Sequence, residues 1–137
     1  MWSFPSGSRT LPGENSASVE KELRGILDAI ASDDAEFAFT VVAGLERNPF
    51  SVDRNEAVVT SLIAAVAQHS GAEPAVRGEP FWTDCALLAD AGIPTVLFGV
   101  DGGGAHAAEE WVTIDSLITL TKTLEEVITD LTNPGAS

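Results

Sequence analysis

The sequence predicts an α/β fold, and three observations predict it. Amphipathic stretches with helical spacing alternate along the chain with extended stretches. The run Ile93–Val100 is continuously apolar, the pattern of a strand buried on both faces. A glycine loop, Asp101–His106, follows directly, at the strand end where α/β folds place their ligands. A chain of 137 residues and 14.3 kDa is long enough for one core or for two small lobes.

The elements follow in order. Ser3–Ser18 is rich in Ser, Gly, Pro and Asn without periodicity and reads mostly as loop. Ser16 or Ser18 caps a helix through Ile30, whose apolar face is Val19, Leu23, Ile26, Leu27 and Ile30. Glu36–Leu45 alternates, with Phe37, Phe39 and Val41 on one face, and is predicted as a strand. A composition shift at Arg47–Asp53 marks a boundary between lobes. A second helix runs from about Arg54 to Ser70 and closes at Gly71. After a short extended piece, Ala75–Arg77, Thr83 or Asp84 caps a short helix over Cys85–Ala91. A last helix, from about Thr113 to Leu131, is expected to bury Ile114, Leu117, Ile118, Leu124, Val127 and Ile128.

Charge narrows the function classes. Twenty-one acidic residues against seven basic ones leave a net charge of −14. Phosphate backbones and anionic membranes need clustered Lys and Arg, so neither a nucleic acid nor a membrane is an expected partner. No apolar run approaches the ~20 residues that cross a bilayer. Met1–Pro5 lacks the basic start and apolar core of a signal peptide, so a cytoplasmic location is expected. The single cysteine, Cys85, excludes an intramolecular disulfide and a Cys-rich zinc site.

Few residues carry obvious chemistry. His106 follows three glycines and precedes Glu109 and Glu110. Imidazole is a common zinc ligand, yet one histidine cannot hold a metal alone, and a plain loop histidine fits the same pattern. The glycines do not form a phosphate cradle, because no Gly-Lys-Ser/Thr follows them. Cys85 reads as a small buried residue rather than a nucleophile. His69 reads as a surface residue complementing a helix C-terminus. Arg9 and Arg47 are two of five arginines and fall in loops, where an anion site and plain solubility are equally good readings.

Resemblance adds to this. The segment Phe81–Gly99, FWTDCALLADAGIPTVLFG, resembles the zinc amidohydrolases that include acetylornithine deacetylase, succinyl-diaminopimelate desuccinylase, aminoacylase and carboxypeptidase G. So does Gly103–Val112, GGAHAAEEWV, with its His-x-x-(Asp/Glu)-Glu pattern. Upstream, Arg9–Gly13 resembles the family's Arg-x-x-Pro-Gly segment in a small lid domain. Arg47–Phe50 resembles its Arg-Pro-x-Phe segment, with Asn48 in place of the usual proline, a change expected to be minor. The resemblance covers nearly the whole chain.

It implies the C-terminal part of a zinc-peptidase-like α/β catalytic domain, residues 48–137. Part of a ferredoxin-like α+β lid (dimerisation) domain, residues 1–47, would precede it. It further implies a metal-dependent hydrolase cleaving the amide bond of N-acyl amino acids or small peptides, with homo-oligomers formed through the lid. Intact members use two ions of zinc, or cobalt or manganese, and His106 matches a metal ligand. Arg47 would pair with the substrate's carboxylate, with Arg9 as a second candidate, and Thr83 would donate a hydrogen bond to substrate. The family's His-x-Asp motif, bridging aspartate, catalytic Glu-Glu pair and further acidic ligand have no counterpart here. The isolated chain is therefore expected to bind zinc weakly or not at all and to be inactive. The other expectation is a non-catalytic fragment that self-associates or binds a partner.

Overall fold

The computed structural model describes residues 7–133. The readings of Met1–Pro5 and of Ser3–Ser6 lie outside them. The order is α1 (Ser16–Asp33), α2 (Ala57–Ser70), α3 (Cys85–Asp90), β1 (Gly102–Gly103), β2 (Trp111–Val112) and α4 (Ile114–Thr132). The chain divides into two compact units, Met1–Ser51 with Pro80–Asp90, and Val52–Glu79 with Ala91–Ser137. No helix among the described residues is long and apolar enough to cross a membrane.

The α/β expectation requires correction. The described residues are mostly helical, and their sheet is the two-stranded antiparallel pair β1–β2, with Gly102 opposite Val112 and Gly103 opposite Trp111. Glu36–Leu45 and Ile93–Val100, predicted as strands, run as chain without ladder hydrogen bonds. Strand geometry is a pairing property, and neither segment has a neighbouring strand among the described residues. No lid sheet is seen among the described residues.

The side-chain alternation of the first segment persists nonetheless. Phe37, Phe39 and Val41 are half-buried while Ala38, Thr40 and Val42 are exposed. The Phe37 and Phe39 rings stand 6.0 Å apart between centroids. Arg24 of α1 donates from Nη2 to the Val41 carbonyl at 2.9 Å, fastening helix to extended chain. α1 starts at Asn15, not at Ser16 or Ser18. The Asn15 side chain accepts from the Ser18 N–H at 2.9 Å while the Ser18 hydroxyl accepts from the Asn15 N–H at 3.3 Å, a reciprocal box.

The second unit has a core. Leu62, Ala65 and Val66 of α2 cluster with Val127 of α4, and Val96 and Phe98 pack against them. α2 starts at Ala57 rather than near Arg54, because Asp53 turns the chain first by accepting the Asn55 N–H at 2.8 Å. Gly71 ends it in the left-handed region at φ 79°, as expected. α4 is capped by Thr113, whose hydroxyl accepts from the Ser116 N–H at 3.3 Å. Of the six side chains expected to be buried on α4, only Val127 is; Ile114, Leu117, Ile118, Leu124 and Ile128 are exposed. The face that α4 buries is set by α2, and that face is centred on Thr123 and Val127. Segment Ile93–Val100 is likewise covered on one side only, with Leu97 half exposed.

Candidate functional site

His106 is held in a hairpin loop that composition alone did not reveal. β1 and β2 bracket residues 104–110, and below them the Thr113 N–H donates to the Asp101 carbonyl at 2.9 Å. The glycines have distinct reasons. A Cβ on Gly102 would strike the Trp111 carbonyl, and one on Gly103 would press on the Trp111 indole. Gly104 turns at φ 76°, and a Cβ there would strike the Glu109 carbonyl. The loop then tightens, with the Ala107 N–H donating to the Gly104 carbonyl at 2.8 Å.

His106 itself takes φ 64°, a left-handed conformation uncommon outside glycine. Its backbone N–H donates to Glu110 Oε1 at 2.6 Å. That bond spends a Glu110 oxygen on fixing the loop and leaves the exposed imidazole without a hydrogen bond among the described residues. The signal missed in the sequence is the pairing of a glycine pair with Trp111, an aromatic that covers backbone lacking side chains.

Among the described residues no three His, Cys, Asp or Glu side chains come together to hold a metal. The donor set around His106 is one imidazole and a carboxylate already engaged with backbone. That set does not fit a two-ion centre, whose metals sit ~3.5–4 Å apart under several shared ligands.

The other predicted site residues, Arg47, Arg9 and Thr83, belong to the first unit. Arg47 lies over the Trp82 ring, 5.7 Å from guanidinium carbon to centroid. Its Nη1 donates to the Glu46 carbonyl at 2.9 Å. Thr83, next to that ring, is half-buried, and its carbonyl accepts the Ala86 N–H at 3.1 Å. Neither Thr83 nor Asp84 caps α3 through its side chain; the Asp84 carbonyl opens the helix by accepting the Leu87 and Leu88 N–H groups. Cys85 is buried, as expected. Arg9 is exposed and makes no hydrogen bond among the described residues.

Asn48 makes a long-range contact. Its Nδ2 donates to both carboxylate oxygens of Asp90, at 3.2 and 3.0 Å. Glu46 is tied to α1, accepting the Ser16 N–H at 3.1 Å. Hydrogen bonding from the Ser16 hydroxyl, and then from its backbone N–H, holds the Glu46 carboxyl below its ordinary range. His69 is more than a surface residue: its Nε2 lies 2.6 Å from Glu126 Oε2, joining α2 to α4 beside a shallow groove. That groove contains none of the predicted site residues.

The model of peptidase family M20/M25/M40 matches residues 10–130. The chain belongs to this family of metallopeptidases and amidohydrolases, whose members use metal ions and act on peptides or acyl amino acids. No curated protein and no solved structure matches it.

Proposed function

We propose that this chain is the C-terminal part of a metal-dependent hydrolase that cleaves the amide bond of N-acyl amino acids or small peptides. The observation that carries the reading is the family match across residues 10–130, which includes the segments 47–50, 81–99 and 103–112 and begins one residue after Arg9. On this reading residues 48–137 belong to the catalytic domain and residues 1–47 to the lid through which copies associate.

His106 supplies one metal ligand. The other ligands and the glutamate base come from family motifs that this sequence does not contain. The hairpin supports the role of His106 by fixing the backbone beneath an imidazole that makes no competing hydrogen bond among the described residues. Arg47 recognises the substrate's carboxylate, since its planar fork makes the two parallel bonds that a lysine cannot. Arg9 assists, and Thr83 donates to substrate. Uncovered apolar surface supports the same picture. Ile93 and Leu97 lie open on one face of an unpaired extended segment, as a strand does that is built to join a larger sheet.

The second reading, a non-catalytic module that associates through apolar surface, is favoured by α1, which buries no residue. One experiment separates the two. The isolated chain, given zinc, turns over no N-acyl amino acid. Joined to the N-terminal part of a related family member, it gains metal and activity, and His106→Ala abolishes both. In the isolated chain His106→Ala leaves the zinc titration almost unchanged. Activity that survives His106→Ala in the joined protein overturns the ligand assignment. A joined protein that folds, binds metal and is inactive favours the second reading.

A further inference from the structure

Among the described residues, Arg24, Arg54 and Arg77 each pair with a glutamate, whereas Arg47 has no carboxylate within ion-pair distance. Among the described residues Arg9 makes no ion pair either, but the Arg47 guanidinium lies over the Trp82 ring at 5.7 Å. A ring beneath a guanidinium covers one face and leaves its N–H edge open, and that edge is the part that binds a carboxylate in two parallel bonds. Only one Arg47 donor is spent, on the Glu46 carbonyl.

The residue beside Arg47 is held as well. Asn48 bonds both oxygens of Asp90, the last residue of α3, and Trp82 lies three residues before the first residue of that helix. Two contacts therefore tie the arginine and its neighbour to the stretch Trp82–Asp90. Where the family pattern has proline, which stiffens the chain through its ring, this chain has an asparagine anchored by its side chain.

We propose that Trp82 and the Asn48–Asp90 pair are positioning groups that hold the Arg47 guanidinium edge-on for a carboxylate ligand. The proposal rests on the reading of Arg47 as the carboxylate-binding residue. Holding the fork in place removes side-chain freedom before binding, so affinity falls when either support is lost.

The test uses the full chain, ¹⁵N-labelled, with the Arg47 Nε–H followed by NMR. In the unmodified protein the indole shifts this signal upfield, Trp82→Leu removes the shift, and Trp82→Phe keeps part of it. N-acetyl-L-leucine moves the signal, and N-acetyl-L-leucinamide, which lacks the carboxylate, does not. Trp82→Leu and Asn48→Ala each weaken binding by about two- to fivefold, the scale of one exposed cation–π contact. Trp82→Phe recovers most of the affinity. An unshifted Arg47 signal, or no response to N-acetyl-L-leucine, overturns the proposal. So does Trp82→Leu binding as tightly as the unmodified chain while Arg47→Gln loses binding; Trp82 is then a bystander. Tight binding by Arg47→Gln removes the carboxylate reading of Arg47 itself. None of these outcomes depends on turnover, so a failed hydrolase reading shows separately in the joined protein.

Discussion

α1 and α4 are helices of nearly equal length, 18 and 19 residues, and both are amphipathic, yet they end in opposite situations. α4 packs on α2 and buries Thr123 and Val127 within a cluster that includes Leu62, Ala65 and Val66. α1 buries nothing, and Leu23, Ile26 and Ile30 stay more than a third exposed. Part of the difference lies in the helices' own sequences, since α4 is the more apolar of the two. The rest lies in α2, which packs against α4 in the same compact unit. An apolar stripe asks for a partner, and stability follows only where the partner is present.

The sharpest way to break this comparison is to truncate one apolar side chain on each side of it. Leu62→Ala removes a side chain from the α2–α4 core and should cost about 2–3 kcal/mol, at the low end for leucine truncations because the cluster is small. Ile26→Ala, on a helix face that is 54% exposed at that position, should cost under about 0.5 kcal/mol. Chemical denaturation of the two variants reads both. Equal losses would mean that α1 has a packed partner in solution, and the contrast between the units would fall.

The same contrast explains what the sequence disclosed. Helices are local, so α1, α2, α3 and α4 were legible from spacing, and Gly71 from its chemistry. The cap of α1 was missed by one residue because Asn15 and Ser18 satisfy each other, and either neighbouring serine looked as suitable. Strands are not local. Phe37, Phe39 and Val41 alternate as read, but alternation cannot supply the neighbour whose carbonyls complete a ladder. The buried face of α4 was misread for a related reason: its richest apolar stripe is not the stripe that meets α2. At the candidate site, the loop that carries His106 was legible through the glycines before it. The hairpin that fixes it was not, because two-residue strands leave no periodic trace. The role of Asn48 was hidden because its partner, Asp90, is 42 residues away.

A smaller effect sharpens the comparison from within the packed unit. Thr123 is fully buried, and its hydroxyl has no hydrogen-bond partner among the described residues. Other threonines of α4 return theirs to the helix: Thr119 donates to the Asp115 carbonyl at 2.9 Å and Thr129 to the Glu125 carbonyl at 2.8 Å. A buried unsatisfied hydroxyl is costly, and valine has nearly the same shape without it. Thr123→Val should therefore raise stability by about 1 kcal/mol, seen as a higher melting temperature. A lower melting temperature would show that the hydroxyl is satisfied in solution, and that the α2–α4 interface is already at its best.

The smallest effect belongs to the unpacked unit, where α1 is held by polar ties rather than by a core. Glu46 accepts the Ser16 N–H, one of the donors that a helix start leaves unpaired, and a carboxylate there also suits the helix dipole. The Glu46 carboxyl is held below its ordinary value of 4.5, chiefly by the Ser16 hydroxyl and then by the Ser16 N–H. The sign follows from linkage. A carboxyl whose folded-state value is depressed adds stability above its unfolded value, and that contribution is lost as pH falls through the folded one. The tie is thus complete at neutral pH and fails only in acid, below 4.5. Glu46 is fully solvent-exposed, so salt weakens the tie. An NMR titration of the Glu46 side-chain carboxyl should give a midpoint below 4.5 in the unmodified chain, moving upward in Ser16→Ala. Amide protection at the start of α1, measured against the intrinsic exchange rate at each pH, should fall over the same acidic range, while the α2–α4 core shows no matching change. A midpoint at the ordinary carboxyl value, unmoved by Ser16→Ala, would remove this polar tie and leave the bond from Arg24 to the Val41 carbonyl to hold α1 against the extended segment.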